Sequence, residues 1–317
     1  MSFKSIKVLT LNTWLLRTPL GIDLARSVER RLKIIPDRVC RFSPDIILLQ
    51  EVWHPALRAR LHQEFSKRGY AFSNWNSANE KNLCRRDFLL NFCSPHKLKE
   101  LSKQIMQNGL MIFSKFPLNP QLSTLVFSEH TRADEVFVKK GAIKMQVLLP
   151  ELGWADVYNA HLGAVTFDSD SNAYIAKECE ARKKQTHELA TWIRKTRDSE
   201  FQIVGADLNS HYHGFKEGKY HDKISDEYSM MTGRGNYGAG LVDSFTSHHG
   251  LGPNPGYTDE SKNPYRQSGP FANSPDAVLD YVFVSDSRHL TPSQSQLVFN
   301  EDCVSDHYGV LSEFAIA

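Results

Sequence analysis

A set of polar side chains borders the short apolar runs of this chain. Asn12 follows Val8-Leu9-Thr10-Leu11, and Glu51 comes just after Ile46-Ile47-Leu48-Leu49-Gln50. His161 ends the run that contains Asn159-Ala160, and Asp207-Leu208-Asn209 follows Ile203-Val204-Gly205-Ala206. Asp280 opens Asp280-Tyr281-Val282-Phe283, and Ser305-Asp306-His307 precedes the last apolar run. A carboxylate behind four aliphatics is either a solvated strand end or a hard oxygen ligand suited to Mg²⁺. On an extended backbone Asp207 and Asn209 share one side, offering a carboxylate and an amide to one phosphate. An imidazole beside a carboxylate suits a general base held in one tautomer, although its orienting partner need not be its sequence neighbour. Taken singly, each has a plainer reading: Asn12 as a turn former, His161 as a structural histidine. Together they supply what phosphodiester hydrolysis requires: charge for the phosphoryl oxygens, a base for water, and donors for the nonbridging oxygens.

Those side chains can meet only if strands carry them to one edge. Short apolar runs at 6–11, 46–49, 110–113, 143–149, 156–160, 203–205, 278–284 and 308–314 read as strands covered on both faces. Between them, 26–42 has Val28, Leu32, Ile35 and Val39 at helical spacing, with Pro36 expected to kink or divide it. A longer helix is expected over 174–197, with Ile175, Cys179, Thr186, Leu189, Ala190 and Ile193 on one face. Arg182, Lys183, Lys184, Arg194 and Lys195 are expected mostly on its solvent side. Strands alternating with helices predict a layered α/β sandwich. Two irregular regions, 76–108 and 211–275, read as loop-rich insertions on a single domain spanning 1–317. In them Phe88, Leu89, Leu90 and Phe92, or Tyr212, Phe215 and Tyr220, could face lipid or simply pack.

Composition limits the alternatives. The chain has 317 residues, 41% hydrophobic and 23% charged, enough to bury a sizeable core. A net charge of +2 is too mild to argue for nucleic acid or an anionic membrane. The cluster Lys81, Arg85, Arg86, Lys97, Lys99 and Lys103 could contact phosphates, but Glu80, Asp87 and Glu100 dilute it. Cys40, Cys84, Cys93, Cys179 and Cys303 are scattered without zinc-finger or disulfide-framework spacing and read as free thiols. No signal peptide and no membrane-spanning run is read, so the expectation is a protein that is cytoplasmic or exported without an N-terminal signal, touching membranes only peripherally.

In this order, Leu11-Asn12-Thr13-Trp14, Leu49-Gln50-Glu51-Val52-Trp53, Asn159-Ala160-His161-Leu162, Gly205-Ala206-Asp207-Leu208-Asn209, Leu279-Asp280-Tyr281-Val282 and Ser305-Asp306-His307 resemble the endonuclease/exonuclease/phosphatase superfamily. The resemblance implies a four-layer α/β sandwich with two central mixed sheets. It implies Mg²⁺, for which Mn²⁺ can substitute, bound by Glu51 with Asn12 assisting and Asp306 as a further contact. Asp207 and Asn209 would orient water and phosphate. His307 would be the base, oriented by Asp280, with Asp207 the alternative proton acceptor. His161 would stabilise phosphoryl oxygens or help the leaving group.

Within that superfamily the chain looks most like neutral sphingomyelinases. The features are Glu51-Val52-Trp53, the segment from Asn108-Gly109-Leu110 to Ser114-Lys115-Phe116-Pro117, Lys140-Gly141-Ala142, and His161-Leu162-Gly163-Ala164 with Ala181-Arg182 downstream. A late loop, Gly256-Tyr257-Thr258 with Asn263-Pro264, adds to them. This implies cleavage of sphingomyelin to ceramide and phosphocholine, with phospholipid at a membrane surface as partner. The alternatives are a nuclease of the same fold, or a phosphodiesterase or phosphatase acting on another phospholipid. Inositol-polyphosphate 5-phosphatases fit less well: Gly205-Ala206 stands where they place a Trp and Gly, and there is no later Cys-Asp-Arg run.

Overall fold

The structure, a computed structural model, describes residues 4–18, 21–75, 108–131, 138–165, 172–216, 219–235, 237–251, 256–269 and 271–317. The aromatic segment at 88–92, the basic cluster at 81–103, Cys84 and Cys93 lie outside the described residues. In chain order the elements are β1 (Ser5–Leu15), α1 (Val28–Cys40), β2 (Ile46–Val52), α2 (Pro55–Ser66), β3 (Phe72–Ser73), β4 (Met111–Ser114), β5 (Ser123–Val126), β6 (Gly141–Leu149) and β7 (Gly153–His161). They continue with α3 (Asn172–Lys195), β8 (Phe201–Asp207), β9 (His213–Lys216), β10 (Lys219–Ile224), α4 (Asp226–Thr232), β11 (Leu241–Asp243), α5 (Ser244–His249), β12 (Asp280–Ser285), β13 (Leu290–Val298) and β14 (Gly309–Ile316).

Strand alternation builds the layers. In β1, Ile6 and Val8 face one way and join Ile46, Leu48, Ile112, Ile143, Val157, Ile203 and Val282 in a core between two sheets. Leu9 and Leu11 face the other way, against Val28, Leu32, Ile35 and Val39 of α1 and Leu57, Leu61 and Phe65 of α2. On the far side, Tyr158, Ala160, Val204, Ala206 and Phe283 pack under Leu189, Ala190 and Ile193 of α3. Among the described residues the first sheet has the order β13-β14-β1-β2-β4-β3 and the second β11-β12-β8-β7-β6-β5, with β9-β10 as a separate hairpin. Each six-stranded sheet contains parallel and antiparallel pairs, giving helix–sheet–sheet–helix, the four-layer sandwich.

Two contacts hold the sheets in close register. Asn159 of β7 donates from Nδ2 to the carbonyls of Leu49 and Met111, both at 2.9 Å, and its Oδ1 accepts from Gln50 Nε2 at 2.7 Å. A Cβ on Gly205 would lie 2.3 Å from Leu48 Cδ1 and 3.1 Å from Leu48 Cβ, so the glycine leaves room for Leu48 of the facing sheet.

Every expected strand is present. Helix α1 runs through Pro36 instead of dividing there. The missing N–H forfeits one hydrogen bond, while burial of Leu32, Ile35 and Val39 stabilises the helix across it. The stretch 211–275 contains two strands of a hairpin, β11, α4 and α5 among its described residues, so it is less irregular than expected. Tyr212 is buried and its ring packs against Tyr228, so it does not face lipid.

Candidate active site

Strand direction brings the polar ends together. β1 and β2 are parallel, with Asn12 opposite Gln50 at their C-terminal ends. β7 and β8 are parallel and end with His161 opposite Asp207, while antiparallel β12 begins with Asp280 opposite that same Asp207. β14 is antiparallel to β1 and starts beside Thr10, which leaves His307 at the same edge. In-register parity does the rest. Asn12 continues the face of Ile6 and Val8, His161 that of Ala155 and Val157, and Asp280 that of Val282 and Val284. The inter-sheet face is apolar along the strands and becomes polar at one rim.

At that rim Asn12 donates from Nδ2 to Asp207 Oδ2 at 2.8 Å and to Glu51 Oε1 at 3.2 Å, bridging the sheets. His161 Nε2 stands 3.5 Å from Asp207 Oδ2 and 3.7 Å from Glu51 Oε1. His307 Nδ1 pairs with Asp280 Oδ2 at 2.8 Å, which directs Nε2 of that ring away from its carboxylate partner. Oxygens of Asp207 and Asp280 and a ring nitrogen of His307 all lie within 4.8 Å of one another. Asp306 accepts from Ser305 Oγ at 3.1 Å.

Three non-glycine residues at these strand ends have left-handed backbone: Trp14 (φ 46°), Glu51 (φ 60°) and Asn209 (φ 50°). Each such residue costs on the order of 1–3 kcal/mol. The expectation that Asp207 and Asn209 share one side of an extended backbone is therefore corrected, because β8 ends at Asp207 and the chain turns. Asp207 Oδ1 accepts the Asn209 N–H at 2.9 Å, and Asn209 Nδ2 donates to the Leu162 carbonyl, also at 2.9 Å. Asn209 thus joins the tips of β7 and β8 with one of its amide hydrogens.

The electrostatics follow from packing several carboxylates out of water. Burial raises Glu51, and the neighbouring Asp306 charge raises it further. Burial and then Asp280 push Asp207 up to about 7. Burial raises Asp306 against the opposing effects of His307 and Arg31. For His307 burial acts downward, but Asp280, Asp207 and Asp306 outweigh it and raise the imidazole well above its ordinary value. Burial, then Lys140 and His307, hold His161 well below, as a neutral ring.

A divalent cation fits this donor set. Glu51 Oε2 is buried without a hydrogen-bond partner, and mutually repelling carboxylates of Glu51 and Asp306 offer hard oxygens. Asn12 presents its nitrogen to Glu51 and Asp207 while its Oδ1 accepts from Trp14 N at 3.0 Å, so it orients the carboxylates.

Several residues beyond those singled out for chemistry belong to the site. Lys140 Nζ lies 3.1 Å from His161 Nε2 and donates to Leu162 O at 2.8 Å. Arg182, expected on the solvent side of its helix, is buried instead: it donates to the Asn209 carbonyl at 2.5 Å and pairs with Glu227 at 3.1 Å. Buried Arg31 donates to Thr13 O at 2.5 Å and Trp14 O at 2.6 Å, fixing the turn after Asn12. Gly109, at φ +71°, leaves room for the Trp53 ring, since a Cβ there would sit 2.7 Å from it. That ring lies 5.8 Å from His161. Helical periodicity could not flag Arg31 or Arg182, because an arginine with backbone acceptors is buried where a solvent-facing one is expected.

A sequence model of the endonuclease/exonuclease/phosphatase family matches residues 9–307. No curated protein sequence matches significantly. Among solved structures, sphingomyelinase C from Streptomyces griseocarneus is 18% identical, with a TM-score of 0.63 and coverage of 99% of this chain and 100% of that one. A doubly substituted beta toxin from Staphylococcus aureus with bound magnesium ions is 15% identical, with a TM-score of 0.64 and coverage of 98% and 99%. TDP2 from D. rerio, complexed with a single-strand DNA product, is 16% identical, with a TM-score of 0.60 and coverage of 98% of each chain. These likenesses carry the two-sheet sandwich, and the sequence match covers every site residue described above: the chain belongs to the endonuclease/exonuclease/phosphatase family.

Proposed function

We propose that residues 1–317 form one catalytic domain, a Mg²⁺-dependent phosphodiesterase that hydrolyses sphingomyelin to ceramide and phosphocholine. The observation that carries the hydrolytic part is the meeting of Asn12, Glu51, His161, Asp207, Asp280 and His307 at one rim of the two sheets. The choice of sphingomyelin draws support from the sequence features around Trp53, Gly109, Lys140 and His161, and from the fold shared with a sphingomyelinase C. Apolar area at the same end of the molecule also supports it. The loop leaving β1 exposes Ile22 (59%) and Leu24 (68%), suited to peripheral contact with a membrane surface.

Glu51 and Asp306 would hold the cation, with Asn12 orienting Glu51; bound there, Mg²⁺ would supply positive charge to a nonbridging phosphoryl oxygen. A water oxygen attacks phosphorus and passes its proton to the Asp207 carboxylate; His307 Nε2 takes it instead only where bound cation charge offsets the surrounding carboxylates and leaves that ring neutral. The bond from phosphorus to the ceramide oxygen breaks, and that oxygen takes up a proton from solvent and leaves as the alcohol. Asp280 holds His307 in one orientation through Nδ1. His161 and Lys140 supply donors and positive charge to the phosphoryl group. Asn209 and Arg182 keep the turn after Asp207 in place.

The test is purified protein with Mg²⁺, run in parallel on sphingomyelin, lysophospholipids, phosphatidylcholine, phosphoinositides and DNA. Sphingomyelin is expected to be cleaved, chelation to abolish cleavage, and Mg²⁺ or Mn²⁺ to restore it. His307→Ala is expected to lose about 10²-fold or more in rate. Salt-sensitive DNA cleavage without lipid hydrolysis would select the nuclease reading instead.

A further inference from the structure

The pair Asp280–His307 spans the two sheets. Asp280 opens β12 in the second sheet, and His307 precedes β14 in the first. Their 2.8 Å contact therefore depends on how the rim of one sheet sits against the other. One loop grips both sides. Thr258 Oγ1 accepts the N–H of Leu279 at 2.9 Å and of Asp280 at 3.2 Å. The Thr258 carbonyl accepts the N–H of Tyr308, next to His307, at 2.7 Å. Five residues on, Asn263 Nδ2 donates to the carbonyls of Ser305 and Asp306, both at 2.9 Å. Thr258 and Asn263 are completely buried.

The loop is itself anchored. Asp259 and Ala277 exchange backbone hydrogen bonds at 3.0 and 2.9 Å. Arg266, 2% exposed, ion-pairs with Asp259 at 2.6 Å and Asp276 at 3.0 Å and donates to the carbonyls of Ser274 and Pro275. A buried arginine with four oxygen partners fixes the loop's two ends against each other.

We propose that the segment 256–269 is a clamp across the sheet interface, in which Thr258 and Asn263 are positioning residues that set the approach of Asp280 to His307. This rests on the reading of Asp280 and His307 as the catalytic pair. It gives a physical task to Thr258 and Asn263-Pro264, whose side chains do not enter the catalytic steps described above. A hydrogen bond that orients an imidazole is sensitive to small displacements, since misplacement by about 1 Å costs about 10²-fold in rate.

The experiment compares Thr258→Ser, which keeps the hydroxyl acceptor, with Thr258→Ala and Asn263→Ala, which remove one grip each. Turnover of a soluble chromogenic phosphodiester is read with the downfield NMR proton of His307 Nδ1 bound to Asp280, assigned by its loss in His307→Ala. In both alanine variants kcat per folded molecule is expected to fall about tenfold or more with KM nearly unchanged, and the downfield proton to broaden or vanish. Thr258→Ser is expected to retain both. A merely structural loop would lower the melting temperature but leave kcat per folded molecule and the downfield proton as in the parent chain; that outcome overturns the clamp. If Thr258→Ala does not fold, Asn263→Ala decides alone, because it leaves Thr258 and Asp280 untouched. If the parent chain cleaves no phosphodiester, the functional reading fails, and the downfield proton still decides the clamp: loss in the alanine variants supports it, persistence overturns it.

Discussion

Lys140 illustrates how single residues acquire their tasks here. It is 8% exposed, and its Nζ touches His161 Nε2 and the Leu162 carbonyl. Its charge also opposes the raised values of Glu51 and Asp207. A fixed ammonium in a water-poor cleft stabilises developing phosphoryl charge more than it would in water. Lys140→Met is therefore expected to lower kcat about 10²-fold while needing no more Mg²⁺ for half-maximal activity than the parent chain. Steady-state kinetics across a Mg²⁺ series checks this, and unchanged kcat would remove Lys140 from the mechanism. The residue types were legible in the sequence: Glu51, His161, Asp207, Asp280 and His307 stand out because each borders an apolar run. The partnerships were not. That Asp280, rather than adjacent Asp306, orients His307 came from the family resemblance and not from the residues themselves, because strand pairing decides which distant residues meet. Asn209 left the expected face because a left-handed turn follows Asp207.

At the level of elements, the inward strands were legible because burial on both faces leaves unbroken aliphatic runs. β13 was not, because Thr291, Pro292, Ser293, Gln294 and Ser295 form an edge strand with several exposed positions and no apolar run. The short elements between 211 and 275 escaped for a related reason, being set by caps and turns. Helix α5 shows this: Asp243 caps it by accepting the Phe245 N–H at 3.0 Å and also accepts from Tyr228 OH at 3.1 Å. Burial raises Asp243 from 3.8 to about 6 despite these bonds. An acid raised in the folded state stabilises the fold fully below its unfolded value and loses that contribution as pH climbs through its folded value. The ionised cap therefore costs about 3 kcal/mol at neutral pH. Asp243→Asn preserves the cap and does not titrate. Its melting temperature relative to the parent chain is expected to rise between about pH 4 and about pH 7 and to level off above. A difference that stays constant over that range would show that the carboxylate is not the titrating group.

The whole molecule is two sheets whose facing sides are apolar along most of their length and ionisable at one rim. Gly205 permits the close approach, and Asn159 and Gln50 stitch it. Asn12 then bridges carboxylates that come from different sheets. Among the described residues no helix is long and apolar enough to cross a membrane. The layered architecture followed from alternating strand and helix patterns. The convergence of six distant segments did not, since no local signal encodes which edge a strand end occupies, and the family resemblance supplied that step. The most direct measurement of this convergence is anomalous diffraction from crystals soaked in Mn²⁺. An anomalous peak at about 2.2 Å from carboxylate oxygens of Glu51 and Asp306 is expected, lost in Glu51→Gln. A peak bound elsewhere with the Glu51 and Asp306 carboxylates unliganded, or none under conditions that support hydrolysis, would contradict the account.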